Sequence, residues 1–280
     1  MFTLRIENDL GKEITLTQNE SNYQVINIDG LNPPKASIYT STIPNMDGTK
    51  YKSSRGEMRN IVIMVRINGD VESNRQTLYR YFRSGKKCRV HYTNDNRDVF
   101  IEGYCESVVC GIFTNNEVAQ ISIVCPQPYF KSADLIITDI SQVIGAFEFP
   151  FAINVNGIEF SYIKSDEVIT IRNDGDLESG LIVNLVAEAT VQNPVVYNHE
   201  TGEFFKLNYT MNEGDRIRIN TNKGSKSVYL NDTGNIMQYR DASSTWLSLE
   251  LGNNLFSYSA DTNAEHLRVT FEFNRLYEGV

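Results

Sequence analysis

At 280 residues the chain exceeds what one compact core usually fills, so two domains of about 100–150 residues each are expected. Its 41% hydrophobic and 22% charged residues are ordinary for a globular protein and exclude disorder, and no run approaches the roughly 18 apolar residues of a membrane-spanning helix. The net charge of −9 conceals an asymmetry: residues 1–133 carry 16 Lys and Arg against 14 Asp and Glu (+2), and residues 134–280 carry 10 against 21 (−11). The acidic half is a poor ligand for nucleic acid or anionic lipid. In the first half the basic residues gather between Lys50 and Arg97. No aromatic-interleaved RNA motif or recognition-helix pattern accompanies them, so an acidic protein surface, most economically a neighbouring subunit, is the expected partner rather than a specific nucleic acid.

In chain order, the N-terminus places Arg5, Glu7 and Asp9 where a signal peptide needs its apolar stretch, so synthesis in the cytosol is expected. Residues 35–58 are polar, contain an Asp47-Gly48 turn and have few groups to bury, which predicts a two-stranded arm projecting from the body. An isolated hairpin is marginal in water and persists by packing on something else, so a subunit neighbour is the expected support. Tyr39, Met46, Lys50, Tyr51, Lys52 and Arg55 are its candidate contact residues. Ile61–Ile67 then reads as a buried strand closed by the Asn68-Gly69 turn.

Residues 73–84 break the period of two. Leu78 and Phe82 lie four apart, Ser73 or Asp70 serves as the cap and Gly85 as the stop, which predicts a docked helix of about three turns. Its arginines read first as a solvated basic face and second as contacts to a neighbour, with Arg80 and Arg83 as the candidates. Strands are predicted at Cys88–Tyr92, Val99–Glu106, Ala119–Cys125, Phe151–Val155, Val168–Arg172, Gly180–Val186, Arg216–Asn220, Ser227–Leu230 and Leu267–Phe273, with turn signals between them. That spacing predicts a mainly β chain of two sandwiches rather than βαβ units. Pro126 and Pro128 interrupt any continuous ladder, and the charge shift begins at Asp134, so the domains are expected at 1–133 and 134–280.

Chemistry-bearing patterns are sparse. Cys88, Cys105, Cys110 and Cys125 include no C-x-x-C pair, and His91, His199 and His266 are far apart, so no metal site and no cofactor are expected and the cysteines read as small reduced hydrophobes. Asp174/Asp176, Glu200/Glu203 and Glu213/Asp215 are pairs of carboxylates, but they sit at turns where such side chains bond local backbone. The G-x-S-x-G elbow, the phosphate loop and the dinucleotide turn do not occur, and the Asn173–Asp176 loop lacks calcium-loop spacing, so no catalytic residue is assigned and no enzyme is expected. Trp246 leads into Leu247, Leu249 and Leu251 with strand alternation, which predicts a core residue with the second sandwich built around it. The alternative is a carbohydrate-binding adhesin using Trp246 and nearby tyrosines as a platform.

The order of these features resembles a known family. Ser53 and Arg55 after the arm's turn, Met58–Ile63, the helix pattern Arg75, Leu78, Phe82 ending at Gly85, Ile101–Tyr104 and the Cys125–Phe130 junction come first. Ile171–Asp176, the Asn198–Gly202 turn before Phe205–Leu207, Gly214-Asp215 before Ile217–Ile219, and Trp246–Leu251 before Gly252-Asn253-Asn254 follow. The chain resembles, nearly end to end, the distal tail proteins of long-tailed, non-contractile bacteriophages. The resemblance implies a hexameric ring at the tail tip, made in the host cytoplasm, that joins the tail tube protein to the tail-tip or tail-associated protein. It implies that the first domain, with helix and arm, makes the ring. It also implies that the second is galectin-like and docks tip components or a receptor-binding protein, with no membrane partner. Some relatives carry inserted carbohydrate-binding modules, for which 280 residues leave no room.

Overall fold

The computed structural model describes residues 2–19, 22–45, 47–111, 117–140, 143–145, 161–163 and 168–280. It divides into two units, Met1–Asp134 with Leu276–Val280, and Leu135–Arg275. The expected second domain, 134–280, therefore loses its last residues to the first. The physical reason is local: Leu276 and Tyr277 form a short antiparallel strand against Lys131 and Phe130 of the first unit.

Among the described residues the first unit is built from the short Leu276–Tyr277 strand and, earlier in the chain, ten strands and a helix: β1 (Thr3–Asn8), β2 (Glu13–Leu16), β3 (Tyr23–Asp29), β4 (Ala36–Ser41), β5 (Lys50–Gly56), β6 (Arg59–Ile67), α1 (Val71–Tyr81), β7 (Lys87–Thr93), β8 (Asp98–Cys110), β9 (Val118–Cys125) and β10 (Phe130–Ser132). Seven of them form one antiparallel sheet in the order β2-β1-β7-β8-β9-β6-β3, with β10 and Leu276–Tyr277 attached beside β8. The sheet folds over until its two ends meet at a Thr17–Gln24 bridge. Alternation along β6 turns Ile61, Ile63, Val65 and Ile67 inward, where they meet Leu4, Ile6, Val90, Ile101 and Ile121. Burying such side chains is the main favourable term for this body.

Helix α1 begins two residues earlier than predicted because Asp70, not Ser73, is the cap: its carboxylate accepts from the Ser73 N–H at 3.3 Å. Leu78 and Phe82 dock it in the core as expected. Tyr81 adds hydroxyl donation to the Ile6 and Lys12 carbonyls.

The second unit is a two-layer antiparallel sandwich. One sheet runs Ile136–Asp139, Leu267–Phe273, Ile182–Ala187, Arg216–Asn220, Ser227–Leu230, Gly234–Asn235; the other runs Ile169–Asn173, Gly252–Ser259, Val195–Asn198, Glu203–Lys206. Their inner faces share one core, in which Phe256 of one sheet meets Phe271 of the other at 4.9 Å between ring centres. The predicted strand at Phe151–Val155 lies outside the described residues. Trp246 differs from expectation. It is half-buried at the rim, with Phe205 against its ring at 5.1 Å and the Lys226 Nζ over it at 5.4 Å, while Phe205, Phe256 and Phe271 fill the centre. Its segment has strand alternation, but only Ser248–Leu249 forms a strand, so the pattern placed Leu247 and Leu249 inward and left the indole at the margin.

Candidate functional site

Among the described residues β4 and β5 pair only with each other, giving a two-stranded ribbon separate from the main sheet. Six of the seven β5 residues and four of the six in β4 are exposed, so neither face of the ribbon is covered by its own unit. The register is regular from Ala36–Gly56 to Tyr39–Ser53, then slips so that Thr40 faces Tyr51 and Lys52 bulges out. A bulge of this kind re-aims side chains. Without it Tyr51 would stand opposite Ser41; with it Tyr51 stands opposite Thr40, on the side of Ile38 and Ser54, and its hydroxyl lies 3.0 Å from the Ser54 hydroxyl.

The ribbon therefore has two chemically distinct sides. Ile38 and Tyr51, 65% and 59% exposed, make one largely apolar side. Tyr39 and Arg55 make the other, with the guanidinium 5.8 Å from the ring centre. Lys50 and Lys52 are exposed beside Tyr51. Met46, also a candidate, lies outside the described residues. Periodicity reasoning passed over Ile38, Ile43 and Met58, although apolar residues in a polar hairpin were a usable signal; Met58 is 71% exposed at the arm's base.

The helix candidates fare differently. Arg80 is exposed on α1, but Arg83 donates twice to the Asp9 carboxylate, at 2.6 and 2.7 Å. That hydrogen-bonded guanidinium holds the Asp9 carboxyl below its ordinary range. Arg75 likewise pairs with Glu72 within the helix. The structure thus sets Tyr39 against Arg55, leaves Lys50, Tyr51 and Lys52 exposed on the same ribbon, and ties Arg83 to its own body.

The remaining polar groups are arranged locally. Asp174 pairs with Arg172 and Arg275, and Asp215 accepts from the Asn212 N–H and the Asn231 amide, which are turn and strand-end contacts. Burial pushes the Cys88 and Cys125 thiols up to about 12, away from the thiolate form that nucleophiles and metal ligands require. Among the described residues no group of His, Cys, Asp and Glu is placed to hold a metal, and no helix is long and apolar enough to cross a membrane.

The described residues thus form two mainly β bodies, the first carrying an uncovered two-stranded arm. Residues 10–124 match the phage tail protein RIFT-related domain, and residues 174–277 match the siphovirus-type tail component, C-terminal domain. Together the two models span most of the chain, which belongs with the siphovirus-type tail components as a distal tail protein, a structural part of the phage tail. No curated protein matches it by sequence. Among solved structures its fold is similar to the Dit protein of phage SPP1, described as a paradigm of the hub adsorption apparatus in phages infecting Gram-positive bacteria. The identity is 12%, the TM-score 0.71, and coverage 98% of this chain and 99% of that one. It is also similar to a chain of the phage P2 baseplate in its activated conformation with Ca (12% identity, TM-score 0.55, all of both chains covered) and of the same baseplate with Sr (11%, 0.52, all of both chains covered).

Proposed function

We propose that six copies of this chain close into a ring at the distal end of the phage tail, between the tail tube and the tip, with the arm of each protomer lying on the next. The observation that carries this reading is the ribbon β4–β5. It presents Ile38 and Tyr51 on one side and Tyr39 with Arg55 on the other, and a hairpin so exposed contributes little to its own unit. An arm extending from one copy onto the next is a heterologous contact, which forms a ring when the rotation between copies closes. The second unit is galectin-like in this reading and offers its surface to tip or receptor-binding components. The finished protein resides in the virion tail after synthesis in the host cytoplasm.

The role is structural and non-catalytic. The carbohydrate-platform alternative is disfavoured by Trp246, whose ring is already flanked by Phe205 and the Lys226 ammonium. Negative-stain imaging of the purified full chain tests the proposal: six-fold rings are expected, whereas single particles at every concentration and salt would overturn it. Binding to a glycan array that is lost on Trp246→Ala would instead favour the adhesin reading.

A further inference from the structure

The arm is exposed, yet Arg59 at its base is buried. Its first foot leaves β3 at Gly30 and runs to Lys35; its second returns through Gly56 to Arg59 at the start of β6. Gly30 has φ +88°, and a Cβ there would lie 2.1 Å from the Asn60 carbonyl oxygen, so only glycine lets the first foot run this close to β6. At Gly56 a Cβ would lie 2.8 Å from the Tyr129 hydroxyl, which holds the second foot against the Pro128-Tyr129 segment. The Glu57 N–H donates to the Lys35 carbonyl at 2.8 Å, joining the feet directly.

Arg59 occupies the centre of this base at 4% exposure. Its Nε donates to the Pro128 carbonyl at 2.8 Å, and its Nη1 donates to the carbonyls of Gly30 and Asn32 at 2.6 and 2.8 Å. Its Nη2 donates to the Glu278 carbonyl, and the guanidinium stands 4.5 Å from the Phe130 ring centre. One side chain therefore joins the first foot, the end of the first unit's main body and the returning segment 276–280. That segment is held a second time, by Arg97, which donates to the Gly279 carbonyl at 2.8 Å and lies over the Tyr277 ring. The Val280 N–H closes the contact on the Leu31 carbonyl of the first foot at 3.2 Å.

Burying a cation is costly unless its donors are used, and here they are spent on main-chain carbonyls from three distant parts of the sequence. A planar fork with five donors reaches all of them; a lysine ammonium offers its donors from one atom. We propose that Arg59 and the returning segment 276–280 form a socket that fixes the direction in which the arm leaves the body. Arg59 is the positioning residue. The arm is then preorganised for its acceptor, a second copy of this chain, so that docking loses less conformational freedom. The identity of the acceptor rests on the ring reading above, whereas the socket itself does not.

The test places spin labels at Thr49→Cys on the arm and Gln76→Cys on α1, in a Cys110→Ser background, with labelled chains diluted by unlabelled ones. A narrow distance distribution is expected for the parent. Arg59→Met and removal of 278–280 are each expected to broaden it about twofold or more, with Arg59→Lys in between, and to weaken assembly about tenfold. Removal of 278–280 keeps both the arginine and the Leu276–Tyr277 strand, so it decides the matter if Arg59→Met does not fold. A broad parent distribution, or folded variants with the parent's width, would overturn the socket. A parent that is monomeric throughout while its distribution is narrow and broadens in the variants would refute the ring reading alone.

Discussion

The arm and the helix that follows it are both short, basic and rich in tyrosine, yet the fold treats them in opposite ways. On α1, Leu78 and Phe82 enter the core, Tyr81 caps carbonyls of β1 and the β1–β2 turn, and Arg83 neutralises Asp9. On the arm, Ile38, Tyr39 and Tyr51 stay exposed, and their contacts are with the ribbon itself. Basic charge alone therefore does not mark an interface. What marks it is apolar and aromatic area that the chain leaves uncovered while holding its base rigidly.

The largest effect is expected from removing residues 40–51 and joining the strands by a short turn. Assembly is expected to be lost altogether while the melting temperature stays within about 2 °C, because surface changes away from the core usually cost less than about 0.5 kcal/mol. Scattering mass and calorimetry on one sample decide it. Leu78→Ala works on the other region: a fully buried anchor is lost, so unfolding in urea should show a deficit of about 2–5 kcal/mol. Any loss of assembly should then track the unfolded fraction.

Trp246→Ala should cost only about 1–2 kcal/mol by circular dichroism melts, below the roughly 3–5 kcal/mol of a fully buried aromatic, because the ring lies at the rim. Ile38→Ala and Tyr51→Ala should each weaken assembly by about 1–2 kcal/mol in dilution series, as anchors at an interface do, with unchanged melting. The smallest effect belongs to the Asp9–Arg83 pair. Its folded carboxyl titrates below the unfolded value, so its contribution is present above about pH 3.9 and is lost as pH falls through the folded value. Arg83→Ala should return the Asp9 carboxyl to the ordinary range in a carbon-detected NMR titration.

Much of the fold was legible because it depends on local signals. Asp70 or Ser73 with Leu78, Phe82 and Gly85 outlined the helix to within a few residues, and alternation located β6 to β9. The arm was legible from its lack of groups to bury. The parts that escaped depend on distant partners. Arg59 looks like an exposed charge in an alternating strand until carbonyls at 30, 32, 128 and 278 are brought around it. The return of Leu276–Tyr277 and the one-residue slip that turns Tyr51 toward Ile38 leave no periodic trace, since each is set by pairing in three dimensions. Trp246 shows the opposite failure: the alternation held at Leu247 and Leu249 but not at Leu251, which is 57% exposed, and a large ring two residues before a two-residue strand is placed by side-chain packing rather than by period.

Ring closure depends on the uncovered arm joining one copy to the next. Sedimentation velocity on the full chain and on the variant lacking 40–51, over the same concentrations, measures this in one experiment. The full chain is expected to sediment as a closed hexamer and the armless chain as a monomer with an unchanged melting temperature. Hexamers formed equally by both chains, or monomers from both at all concentrations, would contradict it.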